Sequence, residues 1–349
     1  MAGAHRGGAV DLSVGTPTDA PPQVALDALA HSRTERSYPP SIGTEGFRRA
    51  AAAWLDRRFG AKVDPSQVAA TIGSKEFVAG LPHWLRLRTP DRDTVLYPAV
   101  SYPSYAMGAT LGACRAVPVA VDSHWRLRLD TVDPADSDRA LCLWVNTPGN
   151  PAGGLDDLAA AAGWGRQRRI PIFSDECYAE FTWDGPPRSV LQHSSEGVVA
   201  VHSLSKRSNL AGARVGFYAG DPDLVHYLSE LRKHAGFMVP GPVQAAAVAA
   251  LGDQDHVEAQ RRRYLHRLKA LAAAFGSIGI EAPLPGGGFY LWVRAPGGDA
   301  WALVDRLARE AGAVVSPGEF YGEAGAGYVR VAAVQPDDRI ALVAERLAG

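Results

Sequence analysis

Amphipathic segments of helical length alternate with short apolar runs from about residue 44 onward, and this alternation most constrains the fold. It is typical of an α/β protein, in which helices join strands into a largely parallel sheet. The apolar runs predict strands over residues 68–72, 94–97, 116–121, 141–145, 170–173, 198–201 and 215–219. Helices are predicted over residues 45–59 and 155–169. We therefore expect a mostly parallel seven-stranded sheet sandwiched by helices.

The character of the chain changes after Pro240, which indicates a second, smaller α+β domain. Two helices are predicted there, followed by a glycine turn and a strand, over residues 243–251, 255–275, 286–288 and 289–293. The N-terminal stretch is punctuated by prolines and has no periodic apolar face, so we expect it to pack against the smaller domain. The predicted division is an N-terminal segment at 1–40, a large domain at 41–240, and linking helices with the small domain at 241–349.

The net charge of -1, spread over both signs, gives no basic surface for nucleic acid or anionic lipid. The three cysteines are too few and too scattered for a disulfide framework, and no Cys or His pair has metal-ligand spacing. No signal peptide or membrane-spanning run is present in the sequence, so we expect a cytoplasmic protein. The basic cluster at residues 261–269 is interpreted as a solvated helix face.

A lysine follows one of the predicted core strands. Lys206 comes shortly after the run 198–201, with Ser203 before it and Arg214 eight residues beyond it. Ligands of open α/β sheets bind at the carboxyl ends of strands. A lysine there can form a Schiff base with an aldehyde cofactor, and an arginine can grip a phosphate.

An acidic residue ends the neighbouring strand, because Asp175 follows the run 170–173. A carboxylate in a dry site is costly unless it is paired, and the pyridine nitrogen of pyridoxal 5′-phosphate (PLP) would be a fitting partner. Tyr178 could then donate to the phenolic oxygen of the same ring. The alternative is that Asp175 only caps a helix.

Two turns follow other strands. Asn150, in a dense turn after the run 141–145, offers an amide toward the ring oxygen. Ser74 and Lys75 open a helix after the first strand, where free backbone N–H groups favour a phosphate.

Two further residues complete the pattern. Tyr102, after the strand at 94–97, is placed to stack on a flat ring, although aromatic residues usually serve the core. Arg330 lies within the apolar run 328–332, and a buried guanidinium needs an anion such as a carboxylate. The alternative for Arg330 is an edge strand that points it into water.

Together these positions resemble the fold-type I PLP-dependent aminotransferases of the aspartate aminotransferase superfamily, in chain order over essentially the whole sequence. The resemblance implies PLP as cofactor, amino acid and 2-oxo acid substrates, and no metal. It implies that Lys206 is the Schiff-base lysine and Asp175 the partner of the ring nitrogen. The other implied roles are phenolic-oxygen donors Tyr178 and Asn150, stacking ring Tyr102, phosphate ligands Ser74, Lys75, Ser203 and Arg214, and substrate ligands Gly15, Asn150 and Arg330. Tyr38 matches a tyrosine that reaches the neighbouring subunit's phosphate, which implies a homodimer with shared active sites.

A narrower resemblance is to the actinobacterial type of N-succinyldiaminopimelate aminotransferase. It rests on residues 11–17, 174–178, 202–206, 232–236 and 317–322. It implies transfer between N-succinyl-LL-2,6-diaminopimelate and 2-oxoglutarate or glutamate, in lysine biosynthesis. Residues 207–209 depart from this pattern, since small residues are more usual there. A paralogue acting on another amino acid in specialised metabolism therefore stays open.

The implied mechanism has Arg330 fix the substrate carboxylate while Lys206, freed as an amine, moves the Cα proton. A second reaction class on the same scaffold, a β-lyase or an amino-acid cyclase, is the main alternative. A PLP-binding regulator would need an added DNA-binding domain. An unrelated nucleotide-binding protein is disfavoured, because no glycine-rich phosphate motif follows a strand.

Overall fold

The computed structural model describes residue 3, residues 5–34 and residues 36–348. Residues 1, 2, 4, 35 and 349, which belong to the terminal parts of the predicted domain division, lie outside the described residues. The strands are β1 (Val10–Asp11), β2 (Val68–Thr71), β3 (Thr94–Pro98), β4 (Arg115–Val119), β5 (Ala140–Asn146), β6 (Ile172–Asp175), β7 (Val198–Ser203), β8 (Gly216–Gly220), β9 (Tyr290–Arg294), β10 (Ala313–Val314), β11 (Ser316–Pro317) and β12 (Tyr328–Ala332).

The helices are α1 (Gln23–His31), α2 (Glu45–Phe59), α3 (Ser74–Arg88), α4 (Ser104–Leu111), α5 (Pro134–Asp138), α6 (Leu158–Arg168), α7 (Leu204–Arg207), α8 (Pro222–His234), α9 (Gly241–Gly252), α10 (Asp255–Ser277), α11 (Ala300–Glu310) and α12 (Asp337–Ala348). Within the described ranges, none of them combines the length and apolar character needed to cross a bilayer.

The large sheet has seven strands in the order β2-β8-β7-β6-β5-β3-β4. Strand β8 is antiparallel to both neighbours, and the other pairings are parallel. Each predicted apolar run forms one of these strands, so the predicted α/β fold is confirmed. The parallel strands direct their carboxyl ends to one edge, where ligands of such sheets bind.

Helix α2 shows how local sequence sets the boundaries of an element. The Thr44 side chain accepts a hydrogen bond from the backbone N–H of Phe47 and caps the first turn. Gly60 ends the helix with a left-handed φ of 66°, which glycine adopts without strain. Between them, a stripe containing Trp54 and Leu55 is buried in the core of the large sheet. The result is the helix that the 45–59 pattern predicts.

A second core lies around the smaller sheets. Strands β11, β12 and β9 form an antiparallel sheet in that order, and β1 pairs in parallel with β10. Val10 and Leu12 belong to this core, together with Leu291 and Val331. The first strand of the chain therefore packs with its C-terminal region.

The rest of the N-terminal segment differs from the expectation. Its proline-rich stretch contains helix α1, which begins directly after Pro22 and packs against α9. Ala25 of α1 is fully buried in the core of the large sheet. A proline before the first helical turn sacrifices no helical hydrogen bond, so the prolines start this helix instead of preventing one. The N-terminal segment is thus divided between the two cores.

The interpretation of residues 261–269 as a solvated face is wrong for Arg267. Its side chain is 3 % exposed and donates two hydrogen bonds to Asp19, at 2.6 and 2.8 Å. A third, of 2.6 Å, goes to Asp337. Burial alone would lower the pKa of Arg267, but its bonds to the two aspartates raise it. Arg267 therefore ties the N-terminal segment to α10 and to the start of α12.

Candidate active site

A cavity of about 610 Å³ opens at the edge of the large sheet where the parallel strands end. It also reaches β12 of the smaller sheet and the N-terminal segment. The predicted residues that line it are Gly15, Ser74, Lys75, Tyr102, Asn150, Asp175, Tyr178, Ser203, Lys206, Arg214 and Arg330. Ser13, Val14, Thr16, Asn146, Cys177, Ser205, Ala211, Gly212 and Tyr290 complete the lining. The structure therefore brings together all the predicted site residues except Tyr38.

Lys206 enters the cavity from the short helix α7, which follows β7 directly. The Ser203 side chain caps this helix by accepting the N–H of Ser205 at 3.2 Å. The ammonium of Lys206 donates a hydrogen bond to the carbonyl of Gly15. Burial lowers the pKa of Lys206 to about 8; Cys177 opposes this shift, and the positive charges of Arg330 and Arg214 add to it. A substantial fraction of this amine is therefore neutral and nucleophilic in mildly alkaline solution.

Asp175 ends β6 as a buried carboxylate that is 6 % exposed. Its Oδ2 atom accepts a hydrogen bond of 2.9 Å from the Tyr105 hydroxyl, and Oδ1 accepts one of 3.2 Å from the N–H of Cys177. The second bond is local, as the capping alternative requires, but the first comes from α4. Burial raises the pKa of Asp175, and these two hydrogen bonds oppose that rise.

No lysine or arginine of the described chain forms an ion pair with Asp175. Taking a carboxylate out of water without a cationic partner is costly. Asp175 is therefore suited to a ligand that brings its own positive charge or proton.

The loop after β5 carries Asn150 into the cavity. Asn146 fixes this loop, because its Oδ1 atom accepts the N–H of Asn150 at 2.8 Å and its Nδ2 atom donates to the Asp175 carbonyl at 2.9 Å. Asn150 Oδ1 in turn accepts a bond of 2.9 Å from Arg330. The amide of Asn150 thus joins the large sheet to β12.

The start of α3 and Arg214 form a cradle of hydrogen-bond donors. Gly73 precedes the helix with a φ of 69°, and a Cβ atom there would overlap the Arg214 guanidinium. Arg214 itself has a left-handed φ of 58° and donates to the carbonyl of Ala211 at 2.9 Å. The first N–H groups of a helix together with a nearby arginine are typical of a phosphate site.

Arg330 lies on the central strand of the β11-β12-β9 sheet and is 7 % exposed, which excludes the alternative of an edge residue in water. It donates to Asn150 and, at 2.5 Å, to the carbonyl of Ser13. Its guanidinium stacks on the rings of Tyr290 and Tyr321, at 4.2 and 4.6 Å. Its Nε atom is buried without a hydrogen-bond partner in the described chain.

The observed acceptors of Arg330 are neutral oxygens, so its charge lacks an anion within the described residues. A carboxylate entering the cavity would supply one, with the bidentate geometry that arginine favours.

The two predicted aromatic site residues Tyr102 and Tyr38 differ in position, because one lies in the cavity and the other on the surface of the chain. Tyr102 lines the cavity, with the Lys75 ammonium 6.0 Å from its ring centre, and also packs edge-on against Tyr105. Both its stacking role and the core alternative are compatible with this position. Tyr38 does not line the cavity, and its side chain is 95 % exposed. A residue that acts in a neighbouring subunit would be exposed in a single chain.

Sequence reasoning missed two tyrosines of the site. Tyr105 is fully buried and holds Asp175, and Tyr290 lies 2.9 Å from the Tyr178 hydroxyl. Tyr105 follows Tyr102 in the same turn signal, which is the only hint the sequence offers. Tyr290 opens β9 among other aromatic residues, so its pattern is that of a core residue.

Comparisons with known proteins agree with this geometry. Residues 8–347 match the family described as aminotransferase class I and II. The chain is 45 % identical to the 4-dedimethylamino-4-oxo-anhydrotetracycline transaminase of Streptomyces rimosus, over 99 % of this chain and 95 % of that protein. It is 34 % identical to the LL-diaminopimelate aminotransferase of Aquifex aeolicus, over 97 and 90 %. A solved structure, the probable N-succinyldiaminopimelate aminotransferase of Thermus thermophilus, superimposes with a TM-score of 0.89 at 31 % identity, over 98 and 94 %.

Proposed function

This chain belongs to the aminotransferase class I and II family, and from that premise we propose which of its residues carry the reaction and which substrates it joins. Membership makes it a PLP-dependent transaminase, an enzyme that exchanges an amino group between an amino acid and a 2-oxo acid. The observation that carries the residue assignment is that Lys206, Asp175 and Arg330 line one cavity.

The cavity suits the cofactor. Its volume of about 610 Å³ is within the usual range for cofactor sites. Asp175, a buried carboxylate without a cation partner, would hold the ring nitrogen, and Lys206 would bind the aldehyde carbon. The helix start at Ser74 and Lys75, with Arg214 and Ser203, would hold the phosphate. Tyr178 and Asn150 would donate to the phenolic oxygen, and Tyr102 would stack on the ring.

When bound, the cofactor supplies an electron-withdrawing ring that stabilises charge on the substrate α-carbon. Arg330 binds the substrate carboxylate and so orients the α-carbon toward Lys206. The Lys206 amine removes the Cα proton and later gives a proton back. Burial keeps the pKa of Lys206 near 8, so the same group can act first as the base and then as the acid. Asp175 keeps the ring nitrogen protonated. The carbonyl of Gly15 accepts a hydrogen bond from Lys206 and so holds the N-terminal segment against the cavity.

Glutamate is the proposed amino donor and 2-oxoglutarate the corresponding 2-oxo acid. Both carry a distal carboxylate, and one lysine of the cavity is available to bind it. Lys75 contributes only its backbone N–H to the phosphate site, so once Lys206, Arg214 and Arg330 have their roles, the Lys75 side-chain ammonium is the cation that remains in the lining. The basic residues of the segments 207–209 and 232–236 have partners or positions elsewhere. Arg207 faces Glu180, Arg232 is paired with Glu76, Lys233 is paired with Glu230, and His234 lines a separate groove.

Two candidates remain for the second substrate. N-succinyl-LL-2,6-diaminopimelate, in lysine biosynthesis, is supported by the narrower sequence resemblance and by the name of the Thermus relative. The Aquifex relative is named for LL-diaminopimelate, which supports the diaminopimelate part of this substrate but not its succinyl group. A ketone of specialised metabolism is supported by the 45 % identical Streptomyces transaminase, which is named for a 4-oxo-anhydrotetracycline.

We also propose a cytoplasmic homodimer in which Tyr38 completes the phosphate site of the neighbouring subunit. The 95 % exposure of Tyr38 supports this, as does the exposed apolar face of α4 at Met107 and Leu111. The division at residues 40 and 240 stays a prediction. Sedimentation of the holoenzyme tests the dimer, and a monomer that is fully active would contradict a shared site.

The lysine assignment is tested by absorption. Wild-type protein mixed with PLP is expected to develop a visible band that glutamate converts to the band of pyridoxamine phosphate. Lys206→Ala should bind PLP without that visible band and should not turn over. Lys233→Ala, which removes an exposed lysine, is the matched control and should behave as wild type. Unchanged absorption and turnover in Lys206→Ala would overturn the assignment.

The substrate is tested by supplying N-succinyl-LL-2,6-diaminopimelate and a panel of other amines, each with 2-oxoglutarate. Conversion of the succinylated substrate supports lysine biosynthesis. Its failure, with turnover of another amine, supports specialised metabolism. Product formed from a single amino acid without any 2-oxo acid would instead favour a β-lyase or a cyclase.

A further inference from the structure

We propose that Tyr290 is a positioning residue that links the Tyr178 phenol to the substrate-binding Arg330. This inference rests on the proposed roles of Tyr178 and Arg330. Tyr290 begins β9, lines the cavity and is 3 % exposed. It contacts three parts of the proposed site at once, which are Tyr178, Arg330 and the backbone at Gly15.

The first contact is the hydroxyl pair. Tyr178 Oη and Tyr290 Oη lie 2.9 Å apart, and each carries a single proton. Tyr290 Oη has no other hydrogen-bond partner in the part of the chain that the structure describes. If Tyr178 gives its proton to a bound ring oxygen, Tyr290 must be the donor of the pair. Tyr290 therefore leaves the Tyr178 proton directed into the cavity.

The second contact favours that direction. The Arg330 guanidinium lies 4.2 Å from the centre of the Tyr290 ring. Burial raises the pKa of Tyr290, and Arg330 is the largest opposing influence. A cation on the ring face makes the Tyr290 hydroxyl a better donor to Tyr178. The other titratable groups that face the pair are Cys177, Tyr102 and Tyr321.

The third contact, between Tyr290 and the backbone at Gly15, leaves no space for a side chain at residue 15. A Cβ atom added to Gly15 would overlap the Tyr290 hydroxyl. The N-terminal segment can thus pass over the cavity at this height only because residue 15 has no side chain. Tyr290 therefore contacts both the N-terminal segment that passes over the cavity at Gly15 and the Tyr178 hydroxyl inside the cavity.

A chain of donors strengthens each bond within it. Donation from Tyr290 makes Tyr178 a stronger donor to the ring oxygen, and a stronger donor lowers the pKa of the neighbouring cofactor–lysine imine. Removing the Tyr290 hydroxyl should therefore raise the pH at which the visible band titrates. Removing the whole ring should also weaken substrate carboxylate binding, because Arg330 loses its stacking surface.

The experiment titrates the visible band of PLP-loaded protein against pH in wild type, Tyr178→Phe, Tyr290→Phe and the double variant. Tyr290→Phe should raise the midpoint by roughly 0.3 to 1 pH unit, the equivalent of part of one neutral hydrogen bond. Tyr178→Phe should raise it further, and the double variant should match Tyr178→Phe alone. Tyr264→Phe is the control, since Tyr264 packs on Phe289 in the same aromatic cluster with its hydroxyl toward Asn209.

Steady-state kinetics separates the two roles. Tyr290→Phe keeps the ring, so KM for the amino acid should stay within about twofold of wild type, whereas Tyr290→Leu should raise KM roughly tenfold. An unchanged midpoint in Tyr290→Phe, or additive shifts in the double variant, would overturn the inference. Failure of the proposed function would be visible earlier, as a wild-type protein that forms no visible band with PLP.

Discussion

Replacing Arg330 by glutamine should abolish recognition of the substrate α-carboxylate while leaving the cofactor site in place. Arg330 holds Asn150 and Ser13 with one bond each, and its Nε atom has no partner in the described chain. A bidentate carboxylate would add two charge-assisted bonds, each contributing about 1.5–3 kcal/mol. Because Asn150 and Ser13 compete for the same N–H groups, we take the lower end, about 3–4 kcal/mol. The expected loss in kcat/KM for glutamate is therefore roughly 10²–10³-fold.

The assay compares two amino donors that differ only at the α-carbon. Glutamate carries the α-carboxylate, and 4-aminobutanoate is the same molecule without it. Single-turnover decay of the visible band is measured with each donor in wild type, Arg330→Lys and Arg330→Gln. Only the glutamate rate should fall in Arg330→Gln, and Arg330→Lys should lie between the two, because it keeps the charge and loses the fork. Equal losses with both donors would refute the reasoning, since they would mean that Arg330 supports the fold and not the carboxylate.

Two further predictions concern Arg267 and Lys206. Arg267→Met leaves Asp19 with Gln260 as its remaining side-chain partner, so the free energy of unfolding measured in urea should fall by about 3 kcal/mol. The double variant Asp19→Asn/Arg267→Met should recover part of this loss, and additive losses from the two substitutions would contradict the ion pair. The rate at which PLP reconstitutes cofactor-free protein should rise with pH and level off above about pH 8, because burial lowers the pKa of Lys206 to about 8 and the neutral amine is the nucleophile. Stopped-flow absorption measures this rate, and a rate that keeps rising up to about pH 10, near the ordinary pKa of a lysine, would disprove the prediction.

The large sheet could be predicted because its strands are apolar runs that can be recognised from the local sequence alone. Every residue of β5 is buried, and such a strand is a continuous apolar run bounded by turns. The edge that carries the site follows from the same reasoning, since Asp175 and Lys206 lie just beyond the predicted apolar runs 170–173 and 198–201. The strand pair β1 and β10 has two residues on each side, which is too short for any periodicity to reveal.

Partners that are distant in the chain were not accessible to sequence patterns. Arg267 belongs to a basic run, and nothing local shows that Asp19 neutralises it. Tyr290 likewise resembles a core aromatic until the fold brings its hydroxyl to Tyr178. Arg207, at a position where small residues were expected, is buried against Glu180 and donates to the carbonyl of Ala250 at 2.9 Å. Local patterns predict which apolar runs form the buried strands and helices, but the burial and the polar contacts of these charged and hydroxyl-bearing side chains depend on tertiary structure.

The parallel pairing of β1 with β10 has a consequence for how the protein is made. Val10 is synthesised long before its partner Ala313 and before Arg330, the residue that holds Ser13. A nascent chain that already contains Lys206 and Asp175 but ends before Ala313 therefore lacks both the fixed N-terminal segment over these residues and the Arg330 guanidinium beside them. The reactive centre is assembled only after Arg330 has been synthesised, so an aldehyde that reaches the lysine earlier meets a pocket open to the cell's water.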